Sequence, residues 1–196
     1  MRSLWLISTR QFDEAAVSAT RARALDPLSP FINMGMPWVH HFAGNHAAAI
    51  REAQDVLALQ PGLVEASNVL ITSYESVGRF EEAAALMDKH PHYGIRMSGS
   101  ALIEAYRSGG EQAYWRARLA QMQNGQPPPF AHFVFATVHG HLGEFDRAID
   151  YLEEMVDAHA GGSVFIGVDG CIAPMRGIPR FDALLRRIGA PQPQTA

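Results

Sequence analysis

Histidine is the residue type here with the most ligand and proton-transfer chemistry to offer, and the chain holds nine. Their spacing argues against a metal site. A helical zinc pair places two ligands at i and i+4 on one face, often with a glutamate. His40 and His41 are adjacent and point to different faces; His139 and His141 are two apart; His90 and His92 flank Pro91 in a loop and offer only a weak site. His41 and Asn45 have the helical spacing, but asparagine is not a usual zinc ligand. Cys171 is the sole cysteine, so thiolate clusters and intrachain disulfides are excluded. It sits between Gly170 and Ile172, where an inert thiol is expected rather than a nucleophile. The adjacent pairs Glu81/Glu82 and Glu153/Glu154 diverge by about a hundred degrees on a helix, unlike facing catalytic carboxylates. Gly161-Gly162-Ser163 lacks the Lys-Ser/Thr ending of a phosphate loop. The expectation is a protein that is not an enzyme and uses no cofactor and no metal.

Composition narrows the partners. With 47% hydrophobic and 18% charged residues the chain can bury a substantial core and lacks a disorder signature. Net charge is −4 and no basic block occurs, which argues against direct nucleic-acid binding and a polybasic membrane anchor. The apolar run Leu4–Ile7 is too short for a signal core or a membrane span. A soluble, cytoplasmic protein is expected.

The elements that must position any site follow from a period of 34. Gly44 and Gly78 are one step apart, as are Leu25 and Leu59, and Pro27 and Pro61. Ala15, Ala49 and Ala83 keep the step twice, as do Phe12, His46 and Phe80. A further copy at Gly143, Phe145 and Ala148 lies 65 residues after the one at Gly78, so one irregular unit intervenes. In each unit a glycine turns the chain, an aromatic follows, early acids suit the helix dipole, and a small alanine lets two helices approach. Proline ends the second helix. Such a hairpin cannot bury its apolar face alone and must stack on neighbours.

Helices are expected at 3–8, 11–25, 30–43, 46–59, 64–77, 80–89, 98–108, 111–123, 130–142, 145–159 and 180–188, with no strand. Pro37 should kink or delay its helix. "SVFIGV" reads as an extended link or short helix. "NGQPPPF" (124–130) is a polyproline linker, and His90–Gly99 is the expected bend. Phe181, Leu184, Leu185 and Ile188 share one face of the last helix and would cap the array's end; an interaction helix is the alternative.

The step of 34, the Gly-x-aromatic-x-x-Ala core and the terminal "ALDP" resemble tetratricopeptide repeats over Gln11–Pro91 and Phe130–His159. The first unit is truncated, with Arg10 where the family has its turn glycine. "SVFIGVDGCIAPMRGIPRFDALLRRIGAP" (163–191) is similar to the segment closing such repeats in bacterial winged-helix regulators, nucleotide cyclases and kinases. Val168, Asp169, Pro174, Arg176, Pro179, Phe181, Leu184 and Arg187 fill family positions, while Gly170 replaces a proline. The resemblance implies an all-α, right-handed solenoid of antiparallel helix pairs, a tetratricopeptide-like superhelix with a C-terminal capping helix. It divides as residues 1–91 (repeats), 92–129 (irregular pair and linker) and 130–196 (last repeat and cap).

In that family the first helix of each pair lines a concave groove. The register assigns Phe31, Met34, Trp38 and His41 to this face in the second unit. It assigns Glu65, Asn68, Thr72 and Glu75 in the third, and Phe130, Phe133, Thr137 and His141 in the last. Glu65 and Glu75 would repel a peptide carboxylate, so an apolar or mildly basic helix or extended peptide is the expected ligand. Phe31, Trp38 and Phe133 equally suit an inter-helix core. The functional expectation is a non-catalytic scaffold binding a protein or peptide, in a bacterial signalling or transcription-regulating context. The truncated unit fits a piece of a longer regulator. The alternatives are a self-associating homo-oligomer, and a small-molecule or metal-binding sensor or enzyme.

Overall fold

Four of the described helix-to-helix connections use one turn. At Gly44, Gly78 and Gly143 the backbone takes φ of 78°, 74° and 76°. Each glycine N–H bonds three residues back and the next N–H bonds five back, as with Gly78 to Glu75 and Arg79 to Tyr74 (3.0 and 2.8 Å). This double closure satisfies carbonyls a helix end would leave orphaned. The residues that follow, Asn45, Arg79 and Glu144, then share φ near −88° and ψ near 61°, setting the same approach of the next helix. Arg10 and Gln11 repeat the geometry, with Arg10 at φ 61°. A side chain is rare there, and Arg10 donates to the Gly167 carbonyl at 3.5 Å.

The computed structural model describes residues 2–123 and 131–190. Its helices are α1 (Arg2–Ser8), α2 (Phe12–Leu25), α3 (Pro30–Asn33), α4 (Gly35–Phe42), α5 (His46–Leu59) and α6 (Val64–Ser76), then α7 (Phe80–Met87), α8 (Gly99–Met122), α9 (His132–His141), α10 (Phe145–Asp157) and α11 (Pro179–Arg187). The fold is all-helical, and each helix packs against its neighbours in sequence. Among the described residues there is no strand; His92 and Ile95 form one isolated bridge. No described helix is long and apolar enough to cross a membrane. The Pro-rich 124–130 stretch and Phe130 with it lie outside the described residues.

The matched alanines explain the pairing. Ala15, Ala49, Ala83 and Ala148 are all fully buried, so no larger side chain holds the paired helices apart. Pro37 interrupts the expected 30–43 helix. It has no N–H to give Asn33, four residues back; the helix breaks at Met34, and Arg23 Nη2 takes the Asn33 carbonyl at 3.1 Å. The expected pair 98–108 and 111–123 runs as α8, sharply bent at Gly110 (φ 68°, ψ −158°).

At Gly99 the start of α8 lies close against α7. A Cβ there would lie 1.9 Å from the Ala84 carbonyl oxygen of α7. Gly99→Ala is therefore expected to cost about 3 kcal/mol, read as a lower urea midpoint with an unchanged slope.

The C-terminal segment ties the ends together. Of the two expected forms of "SVFIGV", the short helix is the one found: a helical turn at Ser163–Phe165, followed by a second at Gly170–Met175. The first packs on both α1 and α10, and the second on α9. Ile166 joins the core of α9, α10 and α11, whereas Val168 joins that of α1, α2 and α4. In α11, Phe181, Leu184 and Leu185 are buried against α10, with Ile188 alongside.

Candidate functional site

The first helices of successive pairs present one face each to a common cavity. Trp38, His41 and Phe42 of α4 stand at i, i+3 and i+4; Glu65, Asn68, Val69 and Thr72 of α6 follow the same spacing. Together they wall a cavity of about 320 Å³. Leu4 of α1 and Tyr93 of the 92–95 turn complete it, with Gly161, Phe165 and Asp169 of the C-terminal segment. A smaller cavity of about 130 Å³ shares Phe42, Tyr93, Phe165 and Asp169 and adds Phe133 of α9 and Met155 of α10. Phe165 stacks on Phe42 with ring centroids 4.9 Å apart.

Two polar systems hold these walls. In the first, His41 Nδ1 is 3.1 Å from Ser73 Oγ and its Nε2 is 3.6 Å from Asp169 Oδ2. The second distance is an electrostatic contact, too long for a hydrogen bond. Asp169 Oδ1 accepts the Cys171 N–H at 2.8 Å. Burial works to raise the Asp169 carboxyl, but His41 and the bonds from Cys171 outweigh it, and the net shift is downward. Desolvation, and then the neighbouring Asp169 carboxylate, push the half-buried Cys171 thiol well up, which keeps it protonated. His46, half-buried, is shifted down by burial and by His41, whose ring it meets edge-on at 5.4 Å.

The second system begins in the interior. Arg118 of α8 has no exposed surface. Its Nη1 pairs with Glu75 Oε1 of α6, which also accepts Tyr114 Oη at 2.5 Å. Its Nη2 lies 2.6 Å from His92 Nδ1. Arginine can only donate, so Nδ1 must accept, and the neutral His92 ring carries its proton on Nε2. That proton faces Thr72 Oγ1 at 3.3 Å, and Thr72 in turn donates to the Asn68 carbonyl. Asn68 Oδ1 accepts the Tyr93 N–H at 3.1 Å. A hydrogen-bond chain thus runs from the buried ion pair to two residues of the cavity wall. Burial, and then the Arg118 charge, hold His92 well below its ordinary value. Burial chiefly, with Asp169 adding, raises the Tyr93 phenol.

The twelve positions assigned by sequence separate into groups. Trp38, His41, Glu65, Asn68 and Thr72 meet at the larger cavity, and Phe133 lines the smaller. Phe31 is half-exposed and meets Trp38 edge-on. Met34 and Thr137 are buried. Glu75 is the partner of Arg118 and offers no open charge to a ligand. His141 stacks flat on Trp115 at 4.1 Å. Phe130 lies outside the described residues. Sequence reasoning did not find Tyr93, Phe165 or Asp169, which lie in segments without periodicity; the family-like tail was the only signal for Phe165 and Asp169, and Tyr93 had none.

A larger depression of about 550 Å³ lies over α10, with His132 of α9 and Arg180 of α11, and is lined mainly by charged side chains, most of them paired. Arg180 bridges Asp150 and Glu153 there, and such surface pairs contribute little. Among the described residues no three His, Cys, Asp or Glu side chains gather as metal ligands.

No protein-family model matches the chain, and no curated protein matches it significantly. The site therefore rests on its own geometry.

Proposed function

We propose that the chain is a non-catalytic scaffold of tetratricopeptide-like helix pairs, arranged as a right-handed solenoid, that binds a short segment of a partner protein. The setting is a bacterial signalling or regulatory assembly. One observation carries the reading: five positions assigned to a ligand-facing surface, from two separate helix pairs, meet around one cavity. Its volume of about 320 Å³ falls at the small end of ligand sites, large enough for one anchoring side chain and its flanking backbone. The walls combine aromatic surface with a few convergent polar groups, the composition of an anchor pocket. The buried chain from Arg118 to Asn68 fixes the α6 wall in place before any ligand arrives, which lowers the cost of binding.

Selection from a random peptide library tests this. Selected peptides should lose at least about tenfold in affinity on Trp38→Ala, because a half-buried indole is an energetic anchor; the thermal midpoint should fall as well, since Trp38 also packs against two parts of the core, so affinity is read well below that midpoint. Thr72→Trp, which fills the cavity, should abolish binding. Peptides indifferent to both substitutions would overturn the assignment.

A further inference from the structure

We propose that the larger cavity is selective for an alkylammonium group, of which a lysine side chain of the bound segment is one source and a free amine the other. This rests on the peptide-binding reading and names its anchor.

The cavity wall carries two carboxylates, Glu65 and Asp169, and neither lysine nor arginine. Asp169 is buried yet ionised, since its oxygens are engaged by the Cys171 amide and by His41. Glu65 is exposed at the start of α6 and free to turn toward an incoming charge. The remaining large walls are the rings of Trp38, Phe42, Tyr93 and Phe165, with the His41 ring set against Asp169. The face of an aromatic ring is negative, so a cation among several rings is attracted by each, and most strongly by tryptophan. Tyr93 contributes as a neutral ring, because its phenol is held protonated. The smaller adjoining cavity, with Phe133 and Met155 in its wall, is mostly apolar, Asp169 being its one charged side chain. A methylene stem lies well against such rings while its charged head reaches the carboxylates. A carboxylate ligand meets the reverse: two like charges, and no open arginine or lysine to pair with.

The probes are n-butylammonium, 1-butanol and butyrate, alongside the peptides Ac-Leu-Lys-Leu-NH₂ and Ac-Leu-Lys(acetyl)-Leu-NH₂, all titrated calorimetrically into the full chain. Butylammonium is expected to bind at least about tenfold tighter than butanol, with butyrate silent, and the lysine peptide at least about tenfold tighter than its acetylated form. Glu65→Gln, on the exposed surface, should weaken both cations about fivefold and leave butanol unchanged. Trp38→Leu provides a second reading, with a similar loss. A peptide tighter than butylammonium identifies a protein segment as the source; tight butylammonium with a weak peptide identifies a free amine. Equal binding of butanol and butylammonium, or indifference to both substitutions, overturns the proposal. If library peptides bind the cavity without any preference for lysine, the peptide-binding reading stands and the ammonium assignment alone falls.

Discussion

Glu75→Ala should lower the unfolding free energy by about 3–5 kcal/mol, and Arg118→Ala by a similar amount, the cost of leaving one member of a buried ion pair uncompensated. Arg118 has no solvent contact, and its Nε already lacks an acceptor among the described residues. Losing Glu75 would strand the guanidinium against His92 and the face of Trp115, 5.4 Å from its centroid. The double change Glu75→Leu/Arg118→Met should recover most of that loss, because two apolar side chains need no partners. Equilibrium urea unfolding reads all three. A double variant as unstable as the sum of the singles would show that the pair is worth more than its removal predicts. The pair joins α6 to α8, so the single variants should also weaken peptide binding through the Asn68 and Thr72 wall.

Acid should destabilise the protein well above the carboxylate range. His92 is kept neutral in the fold by burial and by Arg118, so its folded value lies below that of the unfolded chain. Between those two values the unfolded chain holds a proton that the folded chain does not, so stability rises with pH there and is lost as pH falls below about 6.5. The slope for one such histidine approaches about 1.4 kcal/mol per pH unit. His46 and His141 are also shifted down, chiefly by burial, and act in the same sense. Urea midpoints from pH 7.5 to 4.5 should fall steeply below 6.5, and less so in His92→Gln, whose amide can accept from Arg118 and donate to Thr72. A flat profile, or an equal slope in the variant, would contradict a His92 held neutral in the fold.

The pairing of the helices was legible because it depends on small residues at fixed steps. Glycine at a left-handed turn and alanine at a helix contact have few substitutes, so Gly44, Gly78 and Gly143 and the buried alanines announce themselves. Arg10 adopts the same turn without the glycine, and only its register points to it. Pro37 signalled a break, though its place at Met34 follows from the lost bond to Asn33 and the Arg23 side chain that replaces it. The cavity was half legible. The α4 and α6 residues recur at helical spacing, but Asp169 and Phe165 reach them across more than ninety residues of chain. Nothing local encodes that meeting. Glu75 read as an open acid in a groove because its partner Arg118 lies 43 residues away on a helix with no clear register.

The central claim is that a partner segment anchors in the cavity between α4, α6 and the C-terminal segment. The three tryptophans offer a direct reading, since each indole N–H gives its own NMR signal: Trp38 lines the cavity, Trp5 is exposed on α1 and Trp115 is buried in α8. Titration with a library-selected peptide should shift the Trp38 signal saturably, with Trp5 and Trp115 nearly unmoved. A saturable shift at Trp5 with Trp38 unchanged would place the binding surface elsewhere and contradict the account.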